Sequence, residues 1–209
     1  MAMPRTKTGT APLLHWGVAT LALAGQRESG DLHLVKPVDG GALVAVVDGL
    51  GHGEEAAFAA KTAVGALERY GHEPPLSVLQ RCHEALIGTR GVVLSLASFD
   101  SARGTMTWLG VGNVEGVLQH ADWSERSARA TLVTRGGIVG GDLPAVQAAV
   151  VPVAPGDTLV FATDGVRHEF TAEISISEPP QRLADQILAR FGKGTDDALV
   201  LVARYLGHR

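Results

Sequence analysis

The sequence predicts an α+β fold, a layered sandwich built mainly from antiparallel strands. Three observations lead there. Short apolar segments recur along the chain, broken by Gly, Asp and Ser turns. Glycine occurs 26 times in 209 residues, well above the ~7% of an average protein, which calls for many tight turns. The helix-like stretches come as one neighbouring pair and a later third, rather than alternating with strands as in a parallel sheet.

Residues 1–12 carry Arg5 and Lys7 without apolar periodicity and are expected to form a flexible leader to a single domain over residues 13–209. Residues 16–24 and 31–36 read as strands, the second followed by a hairpin-type turn at 37–41. Residues 42–47 are almost continuously apolar and β-branched, as in a strand covered on both faces. Residues 54–70 are Ala-rich and helical, with Ala57, Phe58, Val64 and Leu67 along the expected packing side. A second helix at 76–87 starts after Pro74-Pro75 and stops near Gly88.

Strands follow at 92–99, 105–111, 114–120 and 130–134. The loop 136–142 holds four glycines and is the candidate for a mobile segment facing a substrate. Strands at 146–151 and 158–161, a short helix after Asp164-Gly165, a clearer helix at 180–191 and a strand at 198–205 complete the order.

The net charge of −4 comes from 18 basic and 22 acidic residues without a long run of either sign, so no basic patch invites nucleic acid. No apolar stretch reaches the ~18 residues of a membrane span, and the start of the chain has no signal-type apolar core. Apolar residues make up 45%, enough for a substantial core. The single cysteine, Cys82, leaves no internal disulfide and fits a reducing cytoplasm. It falls mid-helix, and Gly88 stands where a cysteine phosphatase needs its arginine, so a packing role is expected.

The chemistry concentrates at Asp48-Gly49-Leu50-Gly51-His52-Gly53, where the apolar strand turns into the first helix. Glycine-rich turns of this kind often bind phosphate directly through backbone N–H groups. A bare carboxylate would repel that anion, unless a divalent cation stands between the two. The pattern recurs in Ser29-Gly30-Asp31, Thr163-Asp164-Gly165 and Thr195-Asp196-Asp197, each placing an Asp at a strand end. Asp-Gly is also an ordinary turn dipeptide, yet the set is an oxygen-rich group of the kind that selects Mg²⁺ or Mn²⁺. A dinucleotide-binding reading of Gly49, Gly51 and Gly53 fails, because the third fingerprint glycine falls on Glu54.

These motifs, with Pro155-Gly156-Asp157 leading into Thr163-Asp164-Gly165-Val166, occur in an order that resembles the metal-dependent PP2C-like (PPM) protein phosphatases over residues 15–205. The similarity is greatest to the bacterial SpoIIE/RsbU/RsbX branch, and the short chain looks most like the RsbX-type stressosome phosphatases. The resemblance implies a four-layer αββα sandwich of two mainly antiparallel sheets flanked by helices. It implies a serine/threonine phosphatase that uses two Mn²⁺ or Mg²⁺ ions and a metal-bridging hydroxide on a phosphorylated, STAS-type signalling protein. Carried over by position, Asp48 bridges the metals with the Gly49 carbonyl as a further ligand, and Asp164 and Asp196 bind the first metal. Asp31 orients water, and Asp197 is the alternative to Asp196.

The chain also departs from that pattern. Gln26 stands where many relatives place a phosphate-binding Arg, leaving the adjacent Arg27 as an accessory candidate. Leu50 replaces a His that often follows the Asp-Gly pair, leaving His52 as the other accessory candidate. Gly112-Asn113-Val114-Glu115 replaces the segment that helps hold a third ion, so two ions are expected. His168 also follows an Asp-Gly turn, whereas His15, His33, His72, His120 and His208 read as surface or turn residues. The competing reading is a phosphatase-like module that binds a phosphoprotein without turnover, which the absent Arg favours.

Overall fold

The computed structural model describes residues 4–11, 13–26, 28–122 and 128–207. Two antiparallel sheets stack face to face. One contains, from edge to edge, β1 (Arg5–Ala11), β2 (Leu14–Leu21), β11 (Ala198–Tyr205), β10 (Thr158–Ala162), β7 (Glu115–Gln119) and β8 (Arg129–Thr131). The other runs β3 (Asp31–Val38), β4 (Gly41–Gly49), β5 (Val92–Asp100), β6 (Thr105–Val111) and β9 (Ala149–Pro152).

Between the sheets lies an apolar layer that includes Val44, Val46, Phe99, Leu118, Phe161 and Leu201. Helices α1 (Glu54–Tyr70) and α2 (Pro75–Leu86) cover the outer face of the second sheet through Ala60, Ala63, Leu67, Val78 and Leu79. Helix α3 (Pro180–Phe191) and a 3-10 helix (His168–Glu173) cover the first through Leu183, Ile187, Phe191 and Phe170. The order of layers is αββα, as the resemblance implies. Residues of β4 and β11 are buried almost throughout because both strands lie centrally and are covered on both faces.

Several expectations are corrected. Arg5–Ala11, read as a flexible leader, is an edge strand paired residue for residue with β2. Its polar residues hide a strand that is held by the backbone ladder rather than by apolar alternation, as suits a sheet edge. Phe58 is 62% exposed, because the buried side of α1 is a stripe of Ala56, Ala57, Ala59, Ala60, Ala63, Ala66 and Leu67. These small residues allow the helix close approach to the sheet.

His120 is buried, not a surface residue, and its Nδ1 lies 2.8 Å from Asp157 Oδ2. Asp157 also accepts the amides of Ala121 at 2.8 Å and Ala154 at 3.0 Å, so the pair braces the end of β7 against the turn before β10. His33 in β3 packs against Trp16 of β2, and burial pushes its imidazole down to about 4. The loop 136–142 is tied down: Val139 exchanges both backbone hydrogen bonds with Val92, and the Gly140 amide donates to His83 Nδ1 at 3.0 Å. Cys82 is fully buried on the inner face of α2, and burial pushes its thiol up to about 12, in keeping with a packing role. His208 lies outside the described residues.

Candidate metal and phosphate site

The strand ends bring the carboxylates together. Asp31 opens β3 and Asp48 lies near the end of β4, where the two are register partners. Asp164 follows β10 by two residues, and Asp196-Asp197 lead directly into β11, its neighbour in the other sheet. Asp31, Asp48, Asp164, Asp196 and Asp197 line one cavity of about 180 Å³. Leu50, Gly51, His52, Val93 and Asn113 complete its wall.

Each carboxylate is held differently. Asp31 is buried and accepts the Thr163 hydroxyl on Oδ2 at 2.7 Å. That hydroxyl also accepts the Leu199 amide at 2.8 Å. Asp164 Oδ2 accepts the side-chain amide of Asn113 at 2.8 Å. Asp197 is engaged on both oxygens, by the Leu23 amide at 2.7 Å and the Gly30 amide at 2.6 Å. Asp196 Oδ1 accepts the backbone amide of Asp197 at 2.9 Å. Gly49 is buried, and its amide donates to the Gly30 carbonyl at 3.0 Å. Gly165 is required where it stands, because a Cβ there would lie 1.8 Å from the Asp197 carbonyl oxygen. That close approach brings the Asp164 and Asp197 turns together.

The electrostatics are those of an unbalanced anionic cluster. Burial and then the charges of Asp164, Asp196 and Asp197 push the Asp48 carboxyl up to about 7. Asp31 is held well above the usual carboxylate range, first by burial and then by Asp48, against the opposing effect of the Thr163 hydrogen bond. Among the described residues, no Lys, Arg or His forms an ion pair with any of the five.

This donor set fits hard divalent cations, which prefer oxygen ligands and relieve such repulsion. Among the described residues, no three acidic, His or Cys side chains converge into a ready-made cage. Mg²⁺ retains several waters and needs only one or two carboxylates, so an open arrangement suits it.

Of the accessory candidates, His52 lines the cavity and its Nδ1 lies 3.3 Å from Gln26 Nε2. Arg27 lies outside the described residues. His168 Nδ1 lies 2.7 Å from Glu115 Oε2, and His168 is not among the residues lining the cavity. Sequence reasoning noted Asn113 only as a departure and gave Thr163 no role of its own. The one available signal was their position beside Gly112 and Asp164.

Residues 38–206 match the family described as stage II sporulation protein E, SpoIIE. This chain belongs to the SpoIIE family.

Relatives of this SpoIIE-family protein agree with its architecture. It is 31% identical over 94 residues to the phosphoserine phosphatase RsbX of Bacillus subtilis, a match that covers 45% of this chain. The chain spans about half of that relative, 47% of its length. A chain solved in work on the bacterial stressosome, described as a modular system adapted to control secondary messenger signalling, is 31% identical with a TM-score of 0.82. That match covers 91% of this chain and 99% of the other. RsbX solved in complex with magnesium superposes with a TM-score of 0.85 at 20% identity, over 96% of this chain and 100% of that one.

The PP2C phosphatase domain of SpoIIE from Bacillus subtilis gives a TM-score of 0.74 at 18% identity, over 99% and 70% of the two chains. The SpoIIE-family chain therefore has the PP2C phosphatase fold, in agreement with the resemblance seen in its motifs.

Proposed function

We propose that the protein is a divalent-metal-dependent serine/threonine phosphatase acting on a phosphorylated signalling protein. The observation that carries this reading is five aspartates on one cavity, with no ion-pair partner among the described residues. A catalytic phosphatase needs cations at such a site to admit a phosphate dianion.

In this reading Asp48, Asp164, Asp196 and the Gly49 carbonyl hold two Mg²⁺ or Mn²⁺ ions. Bound there, the ions supply water activation and neutralise charge on the phosphoryl oxygens. Asp197 has both oxygens committed to the Leu23 and Gly30 amides, which favours Asp196 as the ligand. Asp31 is fixed by Thr163 through Oδ2 and has its other oxygen to orient water or hold its proton. Asn113 fixes the rotation of the Asp164 carboxylate. No protein nucleophile is required, in keeping with a wall that holds no Ser, Thr or Cys among the described residues.

A STAS-type stressosome or partner-switching protein, met in the cytoplasm, is the substrate this reading favours. It draws support from the 31% identical chain of the stressosome study and from the RsbX relative. No helix among the described residues is long and apolar enough to cross a membrane.

The decisive experiment is release of phosphate from phosphorylated STAS-type proteins, with and without Mn²⁺. Asp48→Asn and Asp164→Asn are each expected to abolish release, and full activity in both variants would sink the mechanism. Gln26, bonded to His52 where relatives place an Arg, favours the second reading, a phosphoprotein-binding module without turnover. Phosphoprotein binding that ignores a chelator, with no phosphate released, would select it.

A further inference from the structure

Resting on the phosphatase reading, we propose that Arg90 is the cation that meets the substrate's phosphoryl group. The wall of the aspartate cavity contains no Lys or Arg among the described residues. Its glycine-rich side, however, is tied to the segment leading into β5, where the Leu50 amide donates to the Gly91 carbonyl at 3.2 Å. This contact sets Arg90 next to the glycine-rich turn.

The guanidinium lies directly over Gly51, which lines the cavity: a Cβ at Gly51 would come within 2.8 Å of Arg90 Nη1. Gly51 has φ +86, a backbone conformation that residues with side chains rarely adopt. Arg90 thus stands beside a glycine that itself lines the aspartate cavity. Its other side faces a neighbouring hollow of about 470 Å³ that it shares with Glu54, Glu55, Phe58 and Thr89.

What holds Arg90 there is replaceable. Its Nη2 pairs with Glu55, and the two side chains are 51% and 68% exposed. Exposed pairs of this kind are weak. A phosphomonoester dianion offers several oxygens to the planar guanidinium fork and forms a stronger, charge-assisted contact than one solvated carboxylate. Glu55 therefore parks the guanidinium beside Gly51 until a phosphoryl group takes its place. Arg90, just before β5, supplies the positive charge that Gln26 does not.

The test is calorimetric titration of inorganic phosphate into the full chain with saturating Mg²⁺, alongside turnover of p-nitrophenyl phosphate. Arg90→Ala is expected to weaken phosphate binding at least about tenfold, roughly 1.4 kcal/mol. Arg90→Lys should fall between, since it keeps the charge and loses the fork. Melting temperature and Mg²⁺ affinity should match wild type in both, and Lys61→Ala, which removes another exposed cation, should leave phosphate affinity unchanged. Wild-type phosphate affinity in Arg90→Ala, or no phosphate binding by the wild type, overturns the proposal. Phosphate bound through Arg90 without turnover would overturn only the enzymatic reading. Turnover with Arg90-independent phosphate binding would overturn only this inference.

Discussion

Thr163 Oγ1 donates to Asp31 Oδ2 across 2.7 Å, joining the first residue of β3 in one sheet to the residue that follows β10 in the other. The bond is buried, and Asp31 is one of the residues that line the aspartate cavity. Because the same hydroxyl accepts the Leu199 amide at 2.8 Å, it fixes three elements at once.

Thr163→Val keeps the shape and removes the hydroxyl. It leaves the Leu199 amide and one oxygen of Asp31 unpaired in a buried place, which costs about 1–3 kcal/mol per group. Denaturant unfolding should report a loss of that order, and Thr163→Ser should recover much of it. An unchanged midpoint in Thr163→Val would show that the bond does not form in solution.

Stability of the metal-free protein should fall as pH rises from about 4 to 7. Asp48 is raised to about 7 and Asp31 is raised in the same direction, so the folded state keeps protons that the unfolded chain has already released. Their stabilising contribution is therefore complete below the unfolded carboxylate range and is lost as pH climbs through the folded values. Saturating Mg²⁺ should flatten this decline, since the cation replaces the protons. Melting curves across pH, with and without Mg²⁺, measure it. Stability rising over that window in the metal-free protein would contradict the assignment.

Asp196 and Asp197 should separate by phenotype. Asp197→Ala removes two short acceptors of backbone amides, and a loss of about 2–4 kcal/mol is expected. Asp196→Ala removes a half-buried side chain whose one hydrogen bond is to the next amide, so folding should change little while Mg²⁺ affinity drops. Thermal unfolding paired with Mg²⁺ titration tells them apart, and equal stability losses would refute the division.

Asn113→Asp places a carboxylate where an amide now donates to Asp164 at 2.8 Å. Without metal, the new repulsion should lower the melting temperature. Mg²⁺ should then raise it by more than in wild type, because an added charge strengthens the site for cations. A melting temperature insensitive to the substitution in metal-free buffer would argue that Asn113 and Asp164 are not in contact.

Much of this was legible locally. The helices Glu54–Tyr70 and Pro180–Phe191 end where apolar periodicity, proline and glycine place their ends. The expectation of a metal at the Asp48 turn rested on one carboxylate between an apolar strand and glycines. Arg5–Ala11 was not legible, because an edge strand is held by backbone pairing to β2 and its polar side chains carry no period. His120 was missed for a similar reason, since its partner Asp157 is brought to it by the β7–β10 pairing.

The chain by itself determined the αββα class, the family and which aspartates to examine. These depend on side-chain type, glycine placement and order along the backbone. Only the tertiary structure decided how each aspartate is held. Asp197 is spent on amides of Leu23 and Gly30, Asp31 is locked by Thr163, and Arg90 is set beside Gly51 where the Leu50 amide meets the Gly91 carbonyl. Those roles are set by hydrogen bonds and charges between groups far apart in sequence, and no local pattern encodes which distant partner will arrive.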